Sequence, residues 1–207
     1  VLDSKAGNDL TSDDNTSTMT TTGKINEALD FSNSVADSVP FSELGIDQPF
    51  TVSTWFKMND LISGTTQRML QNVIDSNNRL GIRITTDRID AGLYNGSSYF
   101  ARKNYTIIDT NWHHLLITFD GNTDFKMYID NSEETTSSYD PSTGATVFFR
   151  LGENYNGLMD DLRIYSKVLS AAEVASLYNS GTGTEETSVL ATGTETTELF
   201  RSTVVAV

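Results

Sequence analysis

Apolar and polar residues alternate with a period of two along most of this chain, the spacing that turns one side of a strand to a core and the other to water. It predicts strands over 28–31, 50–57, 68–75, 79–85, 88–94, 98–103, 112–120, 125–130, 145–151 and 158–165. Turn chemistry separates them: Ser76-Asn77-Asn78, Asn95-Gly96 as a hairpin signal, Asp120-Gly121-Asn122, and Asp140-Pro141-Ser142-Thr143-Gly144. One segment breaks the rhythm. Ser170-Ala171-Ala172-Glu173 reads as a capping box, Val174, Leu177 and Tyr178 fall at helical spacing, and Gly181 supplies a stop. Many short strands and one late helix predict an all-β fold: an antiparallel β-sandwich or jelly roll with one short α-helix. The residues up to Gly23, rich in Thr, Ser and Asp, read as a loop suited to cations.

The strand at 158–165 contains a conflict. Strict alternation puts Leu158, Asp160, Leu162 and Ile164 on one face and Met159, Asp161, Arg163 and Tyr165 on the other. Asp160 then shares an aliphatic face, where an ionised carboxylate costs several kcal/mol unless paired, protonated or bound to a cation. A calcium ligand resolves the conflict, and so does an Asp at the sheet edge hydrogen-bonded to loop amides.

At 207 residues the chain is one β-rich domain, or one domain with an extension, and it contains no cysteine. Core packing, with or without a metal, must hold it together. With 28 acidic against 14 basic residues the net charge is -14, which repels nucleic-acid phosphates and anionic membranes and favours cations as small partners. Neither nucleic-acid binding nor membrane insertion is expected: no apolar run approaches the roughly 20 residues a bilayer requires. No signal peptide is present, and a start at Val1 reads as a processed or incompletely represented polypeptide.

Two further features bear on partners. Tyr94, Asn95, Tyr99, Phe100, Asn104 and Tyr105 surround one hairpin and offer aromatic planes beside amides, as a pyranose with an apolar face and a hydroxyl rim requires; ordinary sheet packing is the competing account. His113 and His114, adjacent in a strand, face opposite ways, so they cannot jointly hold a metal and read as packing or hydrogen-bonding residues. Trp55 and Trp112 are assigned to the core. Residues 182–191 (TGTEETSVLA) and 192–201 (TGTETTELFR) form a ten-residue repeat followed by 202–207. Val189, Leu190, Leu199, Phe200, Val204, Val205 and Val207 call for burial, on their own domain or as an added strand on a neighbouring subunit.

The segments FTVSTWFK at 50–57, WHHL at 112–115, ITFDG at 117–121, MYID at 127–130 and NGLMDDLRIYSKVLSAAEVASLYNSG at 156–181 occur in the order and spacing of laminin-G-like domains. The chain thereby resembles members of the concanavalin A-like lectin/glucanase superfamily over roughly residues 1–181, with 182–207 as a Thr-rich β extension. The resemblance implies a domain lacking its first strand, completed by residues outside this chain or by the C-terminal extension. It also implies a non-catalytic module of extracellular, cell-surface or virion-surface proteins that binds glycan or protein. A structural calcium is implied where an early loop meets the late strand, which nominates Asp3, Asn8 and Asp160, with Asp161 and Asp30 as further ligands. The superfamily includes glycanases, whose retaining members need two carboxylates about 5 Å apart. No Glu-x-Asp-x-x-Glu pattern occurs, and consecutive Asp160 and Asp161 face opposite ways, so catalysis is not expected. Two function classes follow: a recognition module, or a structural subunit of a larger assembly that self-associates through its C-terminal extension.

Overall fold

A computed structural model describes residues 19–32, 37–40, 49–61, 66–73, 79–85, 88–94, 99–107, 109–122, 124–134, 148–184 and 197–199. In chain order the strands are β1 (Thr20–Thr22), β2 (Glu27–Asp30), β3 (Asp37–Pro40), β4 (Phe50–Met58), β5 (Gln67–Val73), β6 (Arg79–Thr85) and β7 (Arg88–Tyr94). They continue with β8 (Tyr99–Thr106), β9 (His113–Phe119), β10 (Phe125–Ile129), β11 (Ser132–Glu134), β12 (Phe148–Glu153), β13 (Gly157–Tyr165) and, after helix α1 (Ala171–Tyr178), β14 (Thr197–Leu199). They form two antiparallel sheets. The eight-stranded sheet runs β1-β2-β13-β4-β9-β10-β11 with β14 also on β13, and the six-stranded sheet runs β3-β12-β5-β6-β7-β8.

Alternation decides which side of each strand meets the core. Phe50, Val52, Phe56 and Met58 of β4 and Leu115, Ile117 and Phe119 of β9 pack against Leu80, Ile82 and Ile84 of β6 and Ile89, Ala91 and Leu93 of β7. At roughly 25 cal/mol per Å² of apolar surface, this shared layer is the main force holding the sheets together. The outward side of β4, β9 and β13 is covered by α1. There Leu116, Tyr128, Tyr165, Leu169 and Val174 form a smaller cluster, with Leu177 against it. Ser170 and Glu173 make the reciprocal box that starts the helix: the Ser170 hydroxyl accepts the Glu173 N–H at 3.4 Å, and the Glu173 carboxylate accepts the Ser170 N–H at 2.7 Å. The stop comes earlier than Gly181, at Asn179, whose left-handed backbone (φ 46°) caps the helix by donating to the Ala175 carbonyl.

Three expectations change, and a fourth feature concerns the C-terminal extension. Thr20–Thr22 is not loop but an edge strand, paired with β2 from Thr20↔Leu29 to Thr22↔Glu27. Trp112 precedes β9 and is only half-buried, whereas Trp55 is buried, though under α1 and not in the inter-sheet core. The alternation of β13 is broken by a bulge between Asp160 and Arg163: Asp160 pairs with Trp55 and Arg163 with Ser53, leaving Asp161 and Leu162 opposite Thr54 alone. Asp161 absorbs the kink with φ 49°, a conformation Asp tolerates better than most residues. Asp160 therefore does not share the aliphatic face. It lies outward beside Trp55, while Leu162 and Ile164 turn to the core. Lastly, the second C-terminal repeat supplies β14, which pairs within the same chain, Leu199 opposite Arg163 and Thr197 opposite Tyr165.

Candidate binding face

The register gathers six arginines on the outer side of the six-stranded sheet. Residues directly opposite in antiparallel strands share a face, so the inward pairs Leu70↔Ile82, Ile82↔Ala91 and Leu80↔Leu93 fix what points outward. One outward row runs Ser38, Arg150, Gln71, Gly81, Gly92, Arg102 across β3, β12, β5, β6, β7 and β8. The row beside it runs Glu153, Arg68, Arg83, Asp90, Asn104. On the other side lie Phe148, Val73, Arg79 and Tyr94, with Tyr99 across from Tyr94 past a register shift.

Gly81 and Gly92 face each other in the middle of this sheet. A Cβ built on Gly81 meets nothing within 4 Å, so a ligand can approach bare backbone there, whereas Gly92 is buried. In the row beside it, Asp90 is 1% exposed and holds two guanidinium groups, Arg88 at 3.1 Å and Arg83 at 3.6 Å. Arg68 pairs with Glu153 at 3.0 Å. A buried carboxylate shared by two arginines fixes their direction, so part of the face is preorganised.

The six nominated hairpin residues do not form one surface. Asn104 lies opposite Asp90 on the outward face, but Tyr105 lies opposite Ile89 and packs against the inter-sheet core. Burial raises the Tyr105 phenol above its ordinary range, and Asp130, Glu134 and Asp109 add to the rise. Phe100 falls at the register shift between the Leu93 and Tyr94 pairs, and Asn95 lies outside the described residues. The basic rows were not legible from the chain. Arg79 and Arg83 sit four apart in one strand and so share a face, but strand order alone brings Arg68, Arg88, Arg102 and Arg150 beside them.

Two other clusters serve the fold. His113, inward at the end of β9, is clamped between Asp130 on Nδ1 (2.7 Å) and Asp109 on Nε2 (3.0 Å). The hydrogen bond to Asp130 raises its pKa, with burial opposing. Asp130 is opposed by its own burial, yet the His113 bond and the His114 N–H hold it below the ordinary carboxylate range. Asp130 and Asn131 both have positive φ, the pattern of a tight hairpin turn between β10 and β11. On the opposite face His114 meets Ser53 Oγ at 2.9 Å and packs on Trp55 and Tyr178. Ser53 and His114 are 2% and 1% exposed, so this hydroxyl–imidazole pair is closed to any substrate.

The nominated metal ligands separate. Asp3 and Asn8 lie outside the described residues. Asp161 binds Arg163 at 2.8 Å, and Asp30 accepts the Ser32 N–H at 2.9 Å and its hydroxyl. Asp160, 2% exposed, accepts the Ile25 N–H at 2.7 Å from the turn linking β1 and β2. Among the described residues no group of three His, Cys, Asp or Glu is placed to hold a metal, and no helix is long and apolar enough to cross a membrane. Of the nominated assembly residues only Leu199 is described, in β14; Val189, Leu190, Phe200, Val204, Val205 and Val207 lie outside the described residues.

Comparison with known proteins adds a family and a fold. Residues 31–175 match a laminin G family model described as concanavalin A-like lectin/glucanases superfamily. No curated protein matches the chain. Among solved structures it is similar to the receptor binding domain of botulinum neurotoxin D (TM-score 0.67, 17% identity, 84% of this chain and 48% of that one). Another is the botulinum neurotoxin serotype D binding domain (TM-score 0.63, 17% identity, 75% and 42%). A third is a botulinum neurotoxin type C structure whose description makes cell entry dependent upon interaction with two ganglioside molecules (TM-score 0.60, 19% identity, 70% and 40%). The chain thus spans less than half the length of these structures, and the likeness at this identity is one of fold.

Proposed function

The chain belongs to the concanavalin A-like lectin/glucanase superfamily, and from that premise we propose that it is a non-catalytic recognition module of an extracellular, cell or virion surface that binds carbohydrate. The observation that carries this reading is the open backbone at Gly81, with the register positions of Tyr94 and Tyr99 to one side and the held Asp90 to the other. A sugar ring can lie on bare backbone and an aromatic plane while amides and charged groups take its hydroxyls. The toxin neighbours are named as binding domains, which supports recognition over catalysis. The competing reading, a structural subunit joined through its C-terminal extension, requires β14 to leave its own β13 for a neighbouring copy; its pairing within the chain favours the module.

A labelled full chain on a glycan array is expected to bind a defined set of saccharides, and Tyr94→Ala with Tyr99→Ala to weaken them about tenfold. An array without a hit, alongside capture of a surface protein, would replace carbohydrate by protein as the partner.

Calcium stays a proposal at Asp160 alone. With Asp161 and Asp30 engaged elsewhere, the ion would be completed by Asp3 and Asn8. The closeness of the turn supports an ordered pocket, since a Cβ on Gly23 would lie 2.5 Å from Asp160 Oδ2. Asp160→Asn keeps an acceptor for the Ile25 N–H, and it is expected to abolish a calcium-dependent rise in melting temperature. An equal rise in both proteins removes calcium from this position.

A further inference from the structure

Helix α1 covers an imidazole whose surroundings do not accommodate a charge. His114 points to the outer side of the eight-stranded sheet, 1% exposed, between Trp55 (ring centroids 5.0 Å apart) and Tyr178 of α1 (6.1 Å). Its Nε2 meets Ser53 Oγ at 2.9 Å, and its Nδ1 is buried with no hydrogen-bond partner among the described residues. Whichever nitrogen carries the proton of the neutral ring, a second proton makes Nδ1 an N–H without an acceptor inside a closed layer. The charged groups around it offer little relief. Arg163 of β13, 0% exposed, is a second cation on the same side, with Asp161 and Tyr165 bonded to it. Asp130 is engaged by His113 and by the His114 backbone N–H, Asp160 by the Ile25 N–H, and Glu173 of α1 by Lys167 and Ser170. Lys24 already lies over the Trp55 ring.

We propose that α1 is an acid-released latch: protonation of His114 lifts the helix from the sheet while the two-sheet sandwich stays folded. Two features localise the release. The apolar side of α1 packs in the small outer cluster of Leu116, Tyr128, Tyr165, Leu169 and Val174, apart from the inter-sheet core, so lifting it leaves the main layer intact. The chain leading into the helix is pinned, because Thr51 Oγ1 donates to the Lys167 carbonyl at 2.7 Å and accepts the Leu169 N–H at 3.1 Å. The pivot therefore falls between Leu169 and Ser170. The far end is held through the Tyr178–Trp55 stack at 5.9 Å and through Arg163, which donates to the Thr184 carbonyl; both contacts border the place where the new charge arises. Opening lets water reach Nδ1 and uncovers Trp55 beside Leu116 and Tyr165. The latch lies in the opposite layer from Gly81 and does not depend on the carbohydrate reading.

Burial pushes the His114 pKa down to about 4 from 6.5, with Arg163 adding to the fall and Asp130 opposing it. A lifted helix returns the ring toward its ordinary value, so docking weakens about tenfold per pH unit between these limits and about 300-fold in all. The test titrates the full chain carrying Trp112→Phe, which leaves Trp55 as the one tryptophan, from pH 7 to 4. Trp55 emission and its quenching by acrylamide report the latch, and far-ultraviolet circular dichroism reports the strands. Expected is a reversible rise in quenching between about pH 6 and 4 with the strand signal unchanged. His114→Gln is expected to abolish that rise. Ala175→Gly, at an exposed position of α1, is expected to weaken docking about fivefold and so to move the midpoint up by about 0.7 pH unit, a shift readable even if the glutamine variant does not fold. Quenching that rises only together with loss of the strand signal, a rise that persists in His114→Gln, a midpoint unmoved by Ala175→Gly, or no rise down to pH 4 would overturn the proposal.

Discussion

Trp55→Ala is expected to lower the unfolding free energy by about 3–5 kcal/mol, the range for truncating a buried large aromatic. Trp55 is 1% exposed, stacks on Tyr178 of α1 with ring centroids 5.9 Å apart, and lies against His114 at 5.0 Å. Lys24, from the β1–β2 turn, sits 4.9 Å from the ring centre. The indole thus ties together the helix, β9 and the first hairpin, and truncation leaves a void bounded by all three. Trp55→Phe should cost much less, because the indole N–H is buried without a hydrogen-bond partner among the described residues, so its removal relieves a desolvation penalty. Urea unfolding of the two variants measures both. A loss under about 1 kcal/mol for the alanine variant would mean that α1 does not cover this face.

Acid is expected to destabilise the protein steeply between pH 6.5 and 4, with His114 responsible for about 3 kcal/mol of the loss. Burial pushes the His114 imidazole down to about 4 from 6.5. Its folded pKa is therefore below its unfolded one, and the unfolded chain binds the extra proton throughout that window. The contribution is complete above pH 6.5, falls as the pH is lowered, and levels off below about 4. His113 has the opposite sign. Its raised pKa gives a contribution fully present below the unfolded value and lost as pH rises through the folded one, so it leaves the acid window undisturbed. Protonation also relieves the self-repulsion of a chain with net charge -14, and His114→Gln separates the effects. Melting temperatures of the two proteins from pH 7 to 4 should converge as pH falls; parallel curves would show that His114 titrates normally.

The strands were largely legible because each obeys a local rule. β6 and β7 match the alternation residue for residue at Arg79–Thr85 and Arg88–Tyr94, and the capping box placed α1 correctly. What failed depends on partners distant in sequence. Nothing around Asp161 announces a bulge: the same residues fit an unbroken strand, and only pairing with β4 shows that Thr54 faces two of them. That extra residue reverses the parity of β13 and carries Asp160 out of the core face, so the carboxylate is buried beside Trp55, where it accepts the Ile25 N–H, and not among the core aliphatics. Thr20–Thr22 lacks an apolar alternation and becomes a strand only because β2 offers an edge. The arginine rows show the same limit, since the residues are plain in the chain but their adjacency is made by the order β12-β5-β6-β7-β8.

β1, β2 and β14 all belong to the eight-stranded sheet, with β2 and β14 paired to successive stretches of β13. The arginines lie on the outer surface of the opposite layer. A ligand held on the outer surface of the six-stranded sheet would therefore leave the first and last described strands untouched.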